Sequence, residues 1–174
     1  MRFFTPAECA SWCKQQQIKL GDRGKPNRDT RLQHTLRCKF PSTFTQFLWF
    51  SRLIEGALQP RQDCLVWITA WGIFPSAENY HLYYRLRESY HDFRLLDEAP
   101  GHFCLGHERP DVATLIYLCV LFAWDAYLLP TVGYGRAFIS HDEFVRLEFS
   151  DKTQFEKTNG SLQAGKVSIL PDSV

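Results

Sequence analysis

The chain has 174 residues, a net charge of +1 and a mean hydropathy of -0.27. With 45% hydrophobic and 22% charged residues it is long and apolar enough to bury one core. That balance is close to a typical globular one, enough to offset the entropy of ordering the chain.

Aromatic residues reach 15%, with five Trp, seven Tyr and fourteen Phe, and imply a bulky core, an aromatic surface, or both. The opening Met1-Arg2-Phe3-Phe4 runs straight into Thr5-Pro6-Ala7-Glu8, without the apolar stretch of a secretory signal. The six cysteines form no Cys-x-x-Cys pair, and Cys64 and Cys119 sit in apolar runs. These features predict a cytoplasmic protein with reduced thiols.

Thr5-Pro6-Ala7-Glu8 has the spacing of a capping box with proline at the first helical position. It predicts a helix to about Gln17 with Cys9, Trp12 and Cys13 inward. Residues 21–32, rich in Gly, Pro, Asn and charge, read as a mobile loop. From Gln33 to Phe40 the chain alternates as a strand does, with His34, Leu36 and Cys38 on one face and Thr35, Arg37 and Lys39 on the other.

Ser42 is placed to cap a helix from about Thr43 to Leu58, with Phe47, Phe50, Ile54 and Ala57 at helical spacing. Cys64 to Trp71 is apolar on both faces and predicts a central strand. Ser76 is placed to cap a helix through about Tyr90. Tyr83, Leu86, Tyr90 and Phe93 would line one side, and His81, Arg85, Glu88 and Asp92 would form its wet stripe.

A short strand is expected over His102–Leu105, then a buried helix from Pro110 to Trp124, whose apolar run is too short to span a bilayer. Ala126–Leu129 and Arg136–Ile139 read as a hairpin. A capping-box pattern at Ser140–Glu143 predicts a last helix over Asp142–Phe149.

Alternating helices and strands predict a single three-layer α/β domain over 1–150. Its sheet is expected to be mostly parallel or mixed, with helices on both faces and a C-terminal hairpin. Residues 151–174 read as a polar tail, with 166–170 able to dock.

Five features carry candidate chemistry. The loop after Trp71 lies at the carboxyl end of the expected central strand, where α/β sheets bind ligands, and offers Trp71, Ser76, Asn79 and Tyr80. The hairpin connection Thr131–Arg136 presents Tyr134 and Arg136 between glycines, suited to partner recognition or to turn chemistry with positive φ. Residues 14–39 carry eight cations against two carboxylates, a net of +6, while the rest of the chain carries −5. Within that stretch Arg23, Lys25, Arg28 and Arg31 form a candidate anion or nucleic-acid site, although the loop lacks an aromatic ring for base stacking.

His102, Cys104 and His107, with His34 or His91, match no standard metal-ligand spacing, so no metal is expected. Ser140-His141-Asp142 is not a triad, because adjacent residues diverge where a triad converges. With no glycine-rich phosphate loop, no cofactor is expected.

The sequence therefore favours a non-enzymatic binding or regulatory protein that recognises a protein partner, away from membranes. The alternatives are a nucleic-acid accessory acting weakly through residues 14–39, and an enzyme with its site at the loop after Trp71.

Overall fold

The computed structural model describes residues 1–59, 62–72 and 77–171, with the backbone alone for 77–79. Eight strands and five α-helices are found among them. They are β1 (Arg2–Phe4), α1 (Pro6–Gln15), β2 (His34–Lys39), α2 (Phe47–Leu58), β3 (Cys64–Ala70), α3 (Ala77–Ser89), β4 (Gly101–Cys104), α4 (Arg109–Leu121), β5 (Asp125–Pro130), β6 (Gly135–Ser140), β7 (Phe144–Phe149), α5 (Lys152–Ala164) and β8 (Ile169–Leu170). The strands form one sheet in the order β1-β4-β3-β5-β6-β7-β2-β8.

Every pairing in that sheet is antiparallel, which overturns the expected mostly parallel or mixed sheet. The reason lies in the connections. After β3, α3 and the segment that follows it return the chain to the end it left, so β4 pairs back with Trp67 opposite Gly101. Next, β4, α4 and β5 do make a crossover between two strands of equal direction. However, β3 is slotted between those strands and runs opposite to both, with Cys64 facing Cys104 on one side and Pro130 on the other. A helix between two strands thus signals a crossover without guaranteeing that the strands are neighbours.

A second correction concerns Asp142–Phe149. The expected helix is strand β7, paired in full with β6 and β2. Phe144-Val145-Arg146-Leu147-Glu148-Phe149 alternates strictly, with Val145, Leu147 and Phe149 in the core, a period a helix cannot use. The supposed capping box is the turn into β7, with Glu143 at φ 60. Beyond it, the polar stretch read as a tail contains α5, capped by Asp151 accepting from Thr153 N, and then β8. Gln154, Thr158 and Leu162 of α5 are buried, and Gln154 Nε2 donates to the Ala57 carbonyl (3.0 Å).

The two sheet faces differ. One carries Leu36, Cys38, Val66, Ile68, Ala126, Leu128, Ile139, Val145 and Leu147 into a continuous core with Phe50, Ile54, Leu115, Ile116, Tyr83 and Leu162 from the helices. On the opposite face, Leu65, Trp67, Phe103 and Leu129 pack with Cys9, Trp12 and Cys13 of α1. This helix starts as its sequence predicts, with Thr5 and Glu8 closing a reciprocal capping box. All six cysteines are free and buried, and burial pushes the Cys9 thiol up to about 12. No helix among the described residues is long and apolar enough to cross a membrane.

A polar network supports one corner. His102 is fully buried, with Nδ1 3.2 Å from the Val66 carbonyl and Nε2 against the Tyr83 hydroxyl. Burial pushes its pKa down to about 3, so the imidazole is neutral at ordinary pH. Asp92, assigned to a wet helix stripe from sequence, is instead buried against Arg87 (2.5 Å). Helix α3 ends at Ser89, so helical phasing no longer applies at residue 92, and Phe93 is 75% exposed rather than inward.

Candidate functional site

Helix α1 covers one half of the second sheet face, over Leu65, Trp67, Phe103 and Leu129. The other half of that face, on β6, β7 and β2, carries no helix among the described residues. Strand alternation places Arg136, Phe138 and Ser140, then Phe144, Arg146 and Glu148, then Thr35, Arg37 and Lys39 on it. Register builds one row from Tyr127, Phe138, Arg146 and Arg37.

The rings along this half form a ladder: Tyr127 and Phe138 lie 4.8 Å apart, Phe138 and Phe144 6.3 Å apart. Arginines cap it, with the Arg37 guanidinium 3.8 Å from the Phe144 centroid and that of Arg146 5.5 Å from the Phe138 centroid. All five side chains are half-buried.

Glu148 anchors one end of the ladder and is 2% exposed. Its Oε2 accepts from Arg136 Nε at 2.6 Å, while Oε1 lies 3.1 Å from Arg146 Nε as an ion pair without hydrogen-bond alignment. Gly135 makes this possible: a β-carbon there would stand 1.9 Å from the Glu148 carbonyl oxygen. Neither Gly133 nor Gly135 has positive φ, so both serve close approach, and of the two readings of this connection the positive-φ turn chemistry falls away.

The basic segment divides between two places. Residues 19–27 are tied into a small hairpin, with Leu20 bridged to Pro26 and Gly24 at φ 68. Arg23 and Lys25 sit at its tip in a hollow shared with Trp67, Trp71 and Asp97. Arg28 and Arg31 instead reach Arg136, around a cavity that also meets Lys19, Asn27 and Asp29. Arg28 Nη2 donates to Thr35 Oγ1 (3.1 Å), and Arg31 grips Asp29 through Nη2 (2.7 Å) and Nε (3.0 Å). That grip holds the Asp29 carboxyl down at about 2.

The site expected after Trp71 is built differently. Trp71 packs its ring against Tyr83 and Trp124 at 5.1 and 5.0 Å, and its carbonyl accepts from the Tyr80 hydroxyl (3.3 Å). Ser76 and the Asn79 side chain lie outside the described residues. Tyr134 is tied down by its backbone, donating to the Leu58 carbonyl (3.1 Å) and accepting from Ser150 N (2.9 Å). The structure therefore joins Arg136 to Arg28 and Arg31, and leaves Trp71 and Tyr80 elsewhere.

His141 Nδ1 lies 2.8 Å from Asp125, and the Ser140 hydroxyl lies against Asp142 (3.5 Å). No hydrogen bond joins Ser140 to His141 among the described residues, and no group of three or more His, Cys, Asp or Glu there is placed to hold a metal.

Sequence reasoning missed Phe138, Phe144, Arg146 and Glu148. The alternation of residues 144–149 is the signal that could have found them. No protein-family model, curated protein or solved structure matches the chain.

Proposed function

We propose that the protein is a non-enzymatic binding module that docks a protein partner on the half of the sheet left without a helix. One observation carries this reading: the Tyr127–Phe138–Phe144 ladder capped by Arg37 and Arg146, on strands whose opposite face is fully packed. Arginine and aromatic side chains are the types that dominate binding energy at protein interfaces: the rings bury large area with few rotatable bonds, and the planar guanidinium both stacks and donates in a fixed fork. The face is also rigid. Its backbone is a paired meander, and Glu148 fixes Arg136 from below. Lysine, depleted at protein interfaces, appears here only as Lys39 at the margin.

Purification from native cells followed by native mass spectrometry tests this. The wild type should carry a stoichiometric protein partner. The double variant Phe138→Ser/Arg146→Glu should lose it, and Lys157→Glu, on the exposed side of α5, should keep it. Nucleic acid in place of protein, or a partner indifferent to the double variant, overturns the reading.

A further inference from the structure

Beside the ladder, and apart from it, lies a cavity of about 350 Å³ between the 19–31 segment and strand β6. We propose that it is a binding site for a phosphate monoester. Arg136 is the central group. Its side chain is only 10% exposed, yet its one bonded atom is Nε, held by Glu148 at 2.6 Å. Neither Nη nitrogen has an acceptor among the described residues, although Arg136 lines the cavity. A guanidinium buried this far and locked by a carboxylate behind it presents its free fork to a ligand, and that fork matches two phosphate oxygens.

Charge specifies the ligand further. Lys19, Arg28, Arg31 and Arg136 line the cavity. Against these four cations stand two carboxylates, Asp29 in the lining and Glu148 bonded to Arg136, each already engaged by arginine. The two positive charges left over match a dianion better than a carboxylate. The volume exceeds that of a bare phosphate and leaves room for an organic moiety.

Asn27 supplies a neutral hydrogen-bonding group at the wall. It is positioned by its N–H donating to the Lys19 carbonyl (2.9 Å) and by the absence of a side chain at Gly21, where a β-carbon would stand 2.4 Å from Asn27 Oδ1. A phosphoryl group can arrive on a free small molecule or on a modified side chain of a protein partner, and the cavity chemistry is common to both.

Calorimetric titration at fixed ionic strength, using inorganic phosphate, ribose 5-phosphate, a short phosphoserine peptide and acetate, tests the site. Saturable one-site binding of phosphate is expected, with acetate inert. Tighter binding of ribose 5-phosphate assigns the site to a free small molecule, and tighter binding of the peptide to a modified partner. Arg136→Gln should weaken phosphate by roughly tenfold or more, the loss of a charge-assisted contact.

That variant also strips Glu148 of its partner, so Lys19→Gln/Arg28→Gln serves as the second probe. It removes two rim charges and one exposed hydrogen bond, Arg28 to Thr35, and should weaken phosphate severalfold while leaving the Arg136–Glu148 pair intact and the melting temperature little changed. Absence of saturable phosphate binding to the wild type overturns the proposal, as does equal binding of acetate or an affinity unmoved in both variants. Any of these three failures leaves the protein-partner reading standing, since that reading rests on Phe138 and Arg146.

Discussion

The two faces of β6 and β7 are made by the same twelve residues and live in different worlds. Ala137, Ile139, Val145, Leu147 and Phe149 point into a core roofed by helices, where every atom removed leaves a cavity. Phe138, Phe144 and Arg146 point the other way and stay half-buried, with Arg136 beside them under the 19–31 segment. Stability is concentrated on the first face, which frees the second to carry polar and charged groups that a roofed face would reject. An antiparallel meander permits this division, since strict alternation assigns each residue to one face alone.

The largest expected effect sets adjacent residues against each other. Ile139→Asp places an unpaired charge in the roofed core and should abolish soluble expression, a cost of several kcal/mol, roughly. Phe138→Asp, one residue away, should fold, with a loss of about 1–2 kcal/mol from the ring contacts to Tyr127 and Arg146. Chemical denaturation of both variants checks it, and equal losses would erase the distinction between the faces. Next in size is Arg87→Leu, which leaves Asp92 buried with only the half-exposed Arg94 as partner. It should cost about 3–5 kcal/mol, the range for breaking a buried pair from one side.

The pH dependence follows from His102, whose folded pKa lies near 3 against 6.5 when unfolded. Between those values the unfolded chain binds the extra proton. Stability should therefore fall as pH drops from 6.5 toward 3 and be complete above 6.5. The carboxyls of Glu8, Asp29 and Asp92 are held below their ordinary values of 4.5, 3.8 and 3.8, so their contributions stay intact down to about pH 5 and are lost only as pH falls further. Urea melts at steps from pH 7 to pH 5 isolate the histidine. His102→Gln should be less stable at pH 7 but lose less on acidification; an unchanged slope would remove His102 as the source.

Local signals were legible in the sequence where one residue type answers to one physical need. Thr5 and Glu8 announced α1, and His34 to Lys39 announced both faces of β2. Strand direction was not legible, because the residues of β4, α4 and β5 encode a crossover without encoding that β3 fills the gap. At Ser140–Glu143 a four-residue capping pattern outweighed the alternation downstream, and the error hid Arg146 and Glu148. The cavity could be read only in halves. Arg28 and Arg31 belonged to a basic stretch and Arg136 to a hairpin, 105 positions separating Arg31 from Arg136, and nothing in either segment names the other.

The smallest stability effect distinguishes a surface that binds from one that holds the fold together. Arg146 and Arg136 both address Glu148, but differently. Arg136 donates a 2.6 Å bond from a buried side chain, whereas Arg146 is a third exposed and meets the carboxylate at 3.1 Å without hydrogen-bond alignment. Removing Arg136 leaves a buried carboxylate short of its main donor and should cost about 2–3 kcal/mol. Arg146→Ala gives up an exposed pairing and a cation–ring contact, and should cost about 1 kcal/mol or less. If the ladder is a docking surface, the order reverses for partner binding: Arg146→Ala, nearly silent in a urea melt, should weaken the complex by about tenfold or more. Measuring both quantities on both variants decides the matter. A substitution costly to binding and cheap to folding marks a residue kept for a partner, whereas parallel losses would make Arg146 one more strut of the sheet.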